Sequence, residues 1–188
     1  REISVSFLLI PGLIGKARVC SVGLWDWRIL VKDSLRIGLS FGLTSAVITT
    51  LGLMVGLHAG THSKGVVLGG ILTIAIADAF SDALGIHVSE ESENANTAKH
   101  IWGATAATFL AKFLFALTFA VPVLLLSLRV AIVASLIWGL TILTLISYAI
   151  ARSQGERPWK IVGEHLMIAV IVITVTHYVG DLIGRMCG

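Results

Sequence analysis

Long, unbroken apolar stretches dominate the chain, rather than an alternation of apolar and polar positions. Five are long enough to cross a membrane, at about residues 39–57, 66–85, 101–124, 130–150 and 161–183. A helix spans the hydrocarbon core with about 20 apolar residues. A barrel strand crosses in about 10 and alternates strictly, which none of the five does. Lipid offers no water to open backbone groups, so helices that satisfy their own hydrogen bonds are the expected form. The pattern predicts an all-α polytopic membrane protein with five transmembrane helices.

The first 37 residues break this pattern. Residues 3–14 are apolar but short and are interrupted by Pro11 and Gly12; they match a signal-peptide core in length only, because the basic residues mostly follow them. The chain starts with Arg1 rather than Met, and residues 1–22 receive no assignment. Residues 25–37 mix Trp25, Trp27, Ile29, Leu30 and Leu35 with Arg28, Lys32 and Arg36. That mixture predicts an amphipathic N-terminal helix lying at the membrane interface and leading into the first span. The division expected is a leader and interfacial helix over 1–37 and a five-helix transmembrane domain over 38–188.

Composition sharpens the class. Of the 188 residues, 56% are hydrophobic and 13% charged, against about 25% charged in an ordinary soluble domain. Mean hydropathy is +0.91. Two cysteines, Cys20 and Cys187, at opposite ends exclude a disulfide scaffold. Ten Lys/Arg fall in the leader and in the loops after the second and fourth spans, against three (Lys64, Arg129 and Arg185) on the other side. The asymmetry predicts a cytoplasmic N-terminus and a C-terminus across the membrane. The pI near 9.1 follows from it and implies no nucleic-acid partner.

A charge at mid-membrane is expensive, about 2.5–3.5 kcal/mol on insertion scales, and marks a pathway by default. Asp78 and Asp82 lie four apart in the second span, on one helix face, with Ser81 beside them. Two hard carboxylates suit a divalent cation or a relayed proton. Lys112, midway along the third span, is the candidate counter-charge, or else snorkels along its stem. Glu90, Glu91 and Glu93 follow the second span in a loop that would attract a hydrated cation, or form a solvated turn. His177 and Asp181 are four apart near the outer end of the fifth span, as a candidate proton relay or a plain polar contact at the water boundary. His58 and His62 flank an outer segment whose glycines argue against helix, and so against chelation. Ser45, Thr49 and Met54 on the first span complete the candidate path. Glycines four apart (Gly38 and Gly42, Gly52 and Gly56, Gly180 and Gly184) allow close helix approach and often mark oligomer faces. No phosphate loop, nucleophile triad, zinc pattern or cofactor fingerprint is present, so nothing supports an enzyme or a bound cofactor.

The run from Gly42 to Gly56 resembles the first span of the vacuolar iron transporter family. Ala77-Asp-Ala-Phe-Ser-Asp-Ala-Leu-Gly85, followed by His87-Val-Ser, resembles its second. Val121-Pro-Val-Leu-Leu matches the proline-bearing end of the third, and Gly163-Glu-His-Leu with the run from His177 to Gly184 echoes the fifth. The resemblance covers roughly residues 35–186. It implies a homodimer of five-helix subunits that moves ferrous iron or manganese out of the cytosol in exchange for protons. The family's acidic position on the first span falls on Ser45, its methionine on the second falls on Asp82, and its glutamate after the glycine falls on Ile86. The long metal-binding domain of plant members is absent, with Glu90, Glu91 and Glu93 in the comparable place. Exchange of a thioether for a carboxylate favours a harder cation such as Mn²⁺. The expected function is a secondary transporter of a divalent metal, with the metal as substrate. The alternative is a non-transporting scaffold or assembly subunit that retains the fold.

Overall fold

The computed structural model describes residues 24–93 and 96–187. The leader over 1–22 lies outside the described residues. So do the side chains of 24–32, which would define most of the expected amphipathic face.

All regular structure among the described residues is helical. The helices are α1 (Leu24–Thr61), α2 (Lys64–Ser92), α3 (Ala98–Thr118), α4 (Ala120–Leu125), α5 (Leu128–Gln154) and α6 (Pro158–Cys187). Five helical segments are long and apolar enough to cross a membrane, with α3 and α4 together making the third. The chain is thus an all-α integral membrane protein. Many large apolar side chains point outward, among them Phe80, Leu114, Ile137 and Val175, as a lipid-facing surface requires.

Local chemistry explains the breaks. Pro122 has no N–H for the Thr118 carbonyl and its ring clashes with that carbonyl, so the third span breaks at Phe119 before continuing as α4. Gly155 ends α5 with φ 71°, a left-handed conformation that glycine adopts without a Cβ penalty. The following N–H, of Glu156, donates back to the Ala151 carbonyl at 3.0 Å. Pro158 then opens α6 at a position where its missing N–H costs nothing. Ser63 and Thr97 cap α2 and α3 through their hydroxyls.

α1 is the central post and contacts α2, α3, α5 and α6. Its buried residues Val47, Leu51 and Met54 form the core with Ile71, Phe119 and Leu143. Glycines set its two closest contacts. Gly38 and Gly42 meet Ala104, Ala107, Thr108 and Ala111 of α3, and Gly56 and Gly60 meet Thr176, Gly180 and Gly184 of α6. A Cβ on Gly180 would sit 2.1 Å from the Gly56 carbonyl oxygen. These glycine pairs make close helix contacts within the subunit.

Two local expectations are corrected. Residues 87–92, expected in a loop, continue α2 for almost two further turns. The segment from His58 to Thr61 is helical despite its glycines, because Gly60 is held against Gly180 and Gly184. Tertiary contact outweighs the intrinsic cost of a helical glycine, about 1 kcal/mol.

Gly180→Ala is expected to lower stability by about 1–3 kcal/mol through overpacking at the α1–α6 contact. Gly85→Ala, where nothing lies within 4 Å of an added Cβ, is expected to be neutral or mildly stabilising. Thermal unfolding in detergent measures both.

Candidate functional site

Three helices converge on one buried ammonium. α2 carries Asp78 and Asp82, one turn apart and midway along its length. Their neighbours Ala75, Ala79 and Ala83 face inward and bring α2 close to the bundle. α3 presents Lys112 on the same side as Ala104, Thr108 and Ala111. α1 and α3 run parallel, with Gly38 against Ala104 and Gly42 against Thr108. One turn further along the same seam, Ser45 meets Lys112. The small residues thus set the register that delivers the hydroxyl to the ammonium.

Lys112 is 1% exposed, and its Nζ lies 2.5 Å from Asp78 Oδ2. It also donates to Asp82 Oδ2, and to Ser45 Oγ at 2.8 Å. Ser45 spends its single proton on Asp82 Oδ2, at 2.6 Å. Asp82 is therefore doubly satisfied. Asp78 is not: its Oδ2 is buried and pairs with the ammonium by charge, without hydrogen-bond alignment. The Asp78 side chain keeps 26% exposure and lines an open groove of about 530 Å³ between α1 and α2. Thr49, Leu53 and Leu57 line it from α1, and Thr73 and Ile74 from α2. The threonine hydroxyls donate to their own helices, at Ser45 O and Gly69 O, which leaves oxygen lone pairs free to accept.

The other candidates separate. The five carboxylates do not form one metal site, and no cluster of three or more His, Cys, Asp or Glu side chains suited to a metal occurs among the described residues. Glu90 is eight residues beyond Asp82 on α2, about 12 Å along the axis. It is buried, 3.0 Å from His100 Nε2, and accepts from Asn96 Nδ2 at 3.1 Å. Glu91 and Glu93 are exposed, so the acidic run is one structural residue and two solvated ones. Met54 is fully buried in the core rather than on a path, and Ser81 is exposed on α2 away from the groove. Thr49 lines the groove, and Ser45 lies inside the charge cluster. Asp181 pairs with Arg185 at 2.7 Å, one turn on, rather than with His177, which removes the acid from the expected relay. The His58 and His62 rings lie 5.2 Å apart at the end of α1.

Sequence reasoning missed the Glu90–His100 pair. Its signal is symmetry about a turn: Glu90 lies three residues before the α2 cap Glu93, and His100 three residues after the α3 cap Thr97. It also missed the Ser147–His165 contact of 2.7 Å between α5 and α6, which no spacing announces.

In comparisons with known proteins, no family model and no curated protein matches the chain.

Removing one partner of a buried ion pair is costly, because it strands the other charge. Lys112→Met is expected to destabilise the bundle by about 3 kcal/mol, near the low end for buried pairs because both aspartates keep some exposure. Adding Asp78→Asn and Asp82→Asn to it is expected to restore most of that loss. Detergent melting curves of the single and triple variants test this.

Proposed function

We propose that the chain is a secondary carrier that exchanges a divalent cation, ferrous iron or manganese, for protons. The observation behind this reading is the Asp78 side chain, which lines an open groove while its buried Oδ2 is held by the Lys112 ammonium through an ion pair and not an aligned hydrogen bond. An ion pair without that alignment holds the carboxylate less firmly than a charge-assisted hydrogen bond does, so a cation entering from the groove competes with Lys112 for it.

Charge bookkeeping gives the coupling. Two ionised carboxylates and one ammonium sum to −1. One further proton on a carboxyl brings the cluster to zero. Protonating the second carboxyl as well brings it to +1, and a divalent cation held by both ionised carboxylates beside the ammonium also gives +1. Trading two protons for one divalent cation therefore leaves the charge held in hydrocarbon unchanged, and each uncompensated charge there costs about 2.5–3.5 kcal/mol on insertion scales. Lys112 acts in this scheme as the stand-in cation that the substrate displaces. An all-oxygen site favours manganese over softer ions.

The finer architecture belongs to the same proposal. It comprises the vacuolar iron transporter class, a homodimer, an interfacial amphipathic helix before the first span, a cytoplasmic N-terminus and a C-terminus across the membrane. The resemblance supports the class and the dimer, and the basic bias of alternate loops supports the orientation.

A second reading has its own observation. Lys112 is 1% exposed and engages both aspartates and Ser45, the arrangement of a static charge lock. A non-transporting assembly subunit needs no more than that.

Proteoliposomes with an acidic lumen separate the two. The carrier reading expects Mn²⁺ accumulation driven by the pH gradient, reduced at least about tenfold in Asp78→Asn and Asp82→Asn, a loss of about 1.4 kcal/mol or more in transition-state stabilisation. Equal transport by those variants removes the proposed site. A folded parent protein that moves neither Mn²⁺ nor Fe²⁺ supports the assembly subunit instead. Lys112→Met, tested alongside, is expected to keep the proton coupling, because both carboxyls remain, and to bind Mn²⁺ more tightly in the absence of the competing ammonium.

A further inference from the structure

A second groove lies on the opposite side of α1 from the acidic α2–α3 turn, between α1 and α5. It encloses about 240 Å³ and is graded along its length. Arg36 of α1 and Ser153 of α5 stand at one end, Leu39 and Ile150 follow, and Leu43 and Ile146 lie deepest. α1 and α5 run antiparallel, so each rung takes one residue from each helix. The result is a cationic, hydroxyl-bearing mouth above an apolar slot.

Arg36 is held at the mouth only by a long, solvent-exposed ion pair with Asp33, and Ser153 keeps acceptor capacity. The Arg36 guanidinium is 3.8 Å from Asp33, beyond hydrogen-bond reach, and both side chains are about half exposed or more. Ser153 donates its proton to the Ile150 carbonyl at 2.7 Å and keeps its lone pairs. The surroundings are basic. Arg152 adjoins Ser153, and the α5–α6 turn adds Arg157 and Lys160 against the single acid Glu156, all exposed. The exposed acids Glu91 and Glu93 sit at the same end of the bundle but on the α2–α3 turn, while α5 packs on α1, α4 and α6. Trp159, 77% exposed, and Tyr148 form a ring contact on the other face of α5, toward the same end of the bundle. Such amphipathic rings settle at headgroup depth.

We propose that this groove binds an anionic phospholipid from the adjoining leaflet, with its phosphate on Arg36 and one acyl chain between Leu39, Leu43, Ile146 and Ile150. Charge complementarity selects the occupant. A guanidinium recognises phosphate oxygens through paired N–H donors, and basic pockets between transmembrane helices favour anionic headgroups. An apolar slot alone accepts any acyl chain, so Arg36 supplies the selectivity. The site is independent of the Asp78–Lys112 cluster and of any transport activity.

Native mass spectrometry of the full chain in neutral detergent, titrated with phosphatidylglycerol or phosphatidylcholine, tests the proposal. One phosphatidylglycerol per subunit is expected, held about fivefold more tightly than phosphatidylcholine, which is the contribution of one basic residue near an anionic headgroup. Arg36→Gln is expected to erase the preference while leaving residual acyl binding, and Arg36→Lys to retain part of it. Ala149→Trp, which fills the slot wall, is expected to weaken both lipids. Arg157→Gln, outside the groove, serves as the control and is expected to keep the preference. Equal binding of the two lipids by the parent overturns the proposal, as does a preference that survives Arg36→Gln. Competition by inorganic phosphate alone with full displacement, or a subunit dimer that forms only when lipid is stripped, assigns the groove to a free anion or to a second copy of the chain and likewise overturns it.

Discussion

The organisation of this bundle depends on the cost of keeping an ammonium in hydrocarbon. Lys112 is fully enclosed, and a lone cation there would not be tolerated. Its position obliges α2 to present carboxylates and α1 to present a hydroxyl at one level. The three helices are therefore locked in rotation as well as in distance. Asp82 and Ser45 complete the lock, while Asp78 leaves it incomplete on the side of the groove.

Close packing makes the lock geometrically attainable. Lysine has a long stem, and three polar partners can gather around its end only if their helices approach closely. Glycine and alanine along α1 and α3 allow this on one side of α1, and glycines shared with α6 allow it on the other. In a membrane no hydrophobic force drives helices together, so close van der Waals contact and buried polar pairing must do so. α1 concentrates both. The charge cluster and both grooves border it. The groove with Asp78 opens beside α2, and the groove with Arg36 opens beside α5, so two chemistries of opposite sign are kept apart by one helix.

The sequence carried some features of the site plainly. Asp78 and Asp82 share a face because four residues make about one helical turn, and no neighbour alters that. Lys112 stood out as a charge in an apolar run, with pairing and snorkelling both open to it. Other features had no local signal. Glu90 looked like its neighbours Glu91 and Glu93, yet it is buried against His100 because the α2–α3 turn folds the two inward faces together. Met54 looked like a soft ligand on a candidate path, yet the rotation of α1 puts it in the core. Asp181 had two partners at helical spacing, His177 and Arg185, and the permanently charged one took it.

Hydrophobic length determined the membrane class and the number of spans, because a segment either can or cannot satisfy the bilayer by itself. Proline and glycine chemistry likewise accounts for the break before α4 and the end of α5 from a few residues each. Tertiary structure alone decided which polar groups meet. That outcome depends on the rotation and register of helices far apart in the chain. Those in turn follow from how small residues on one helix fit against another, a property of pairs of surfaces that no single segment contains.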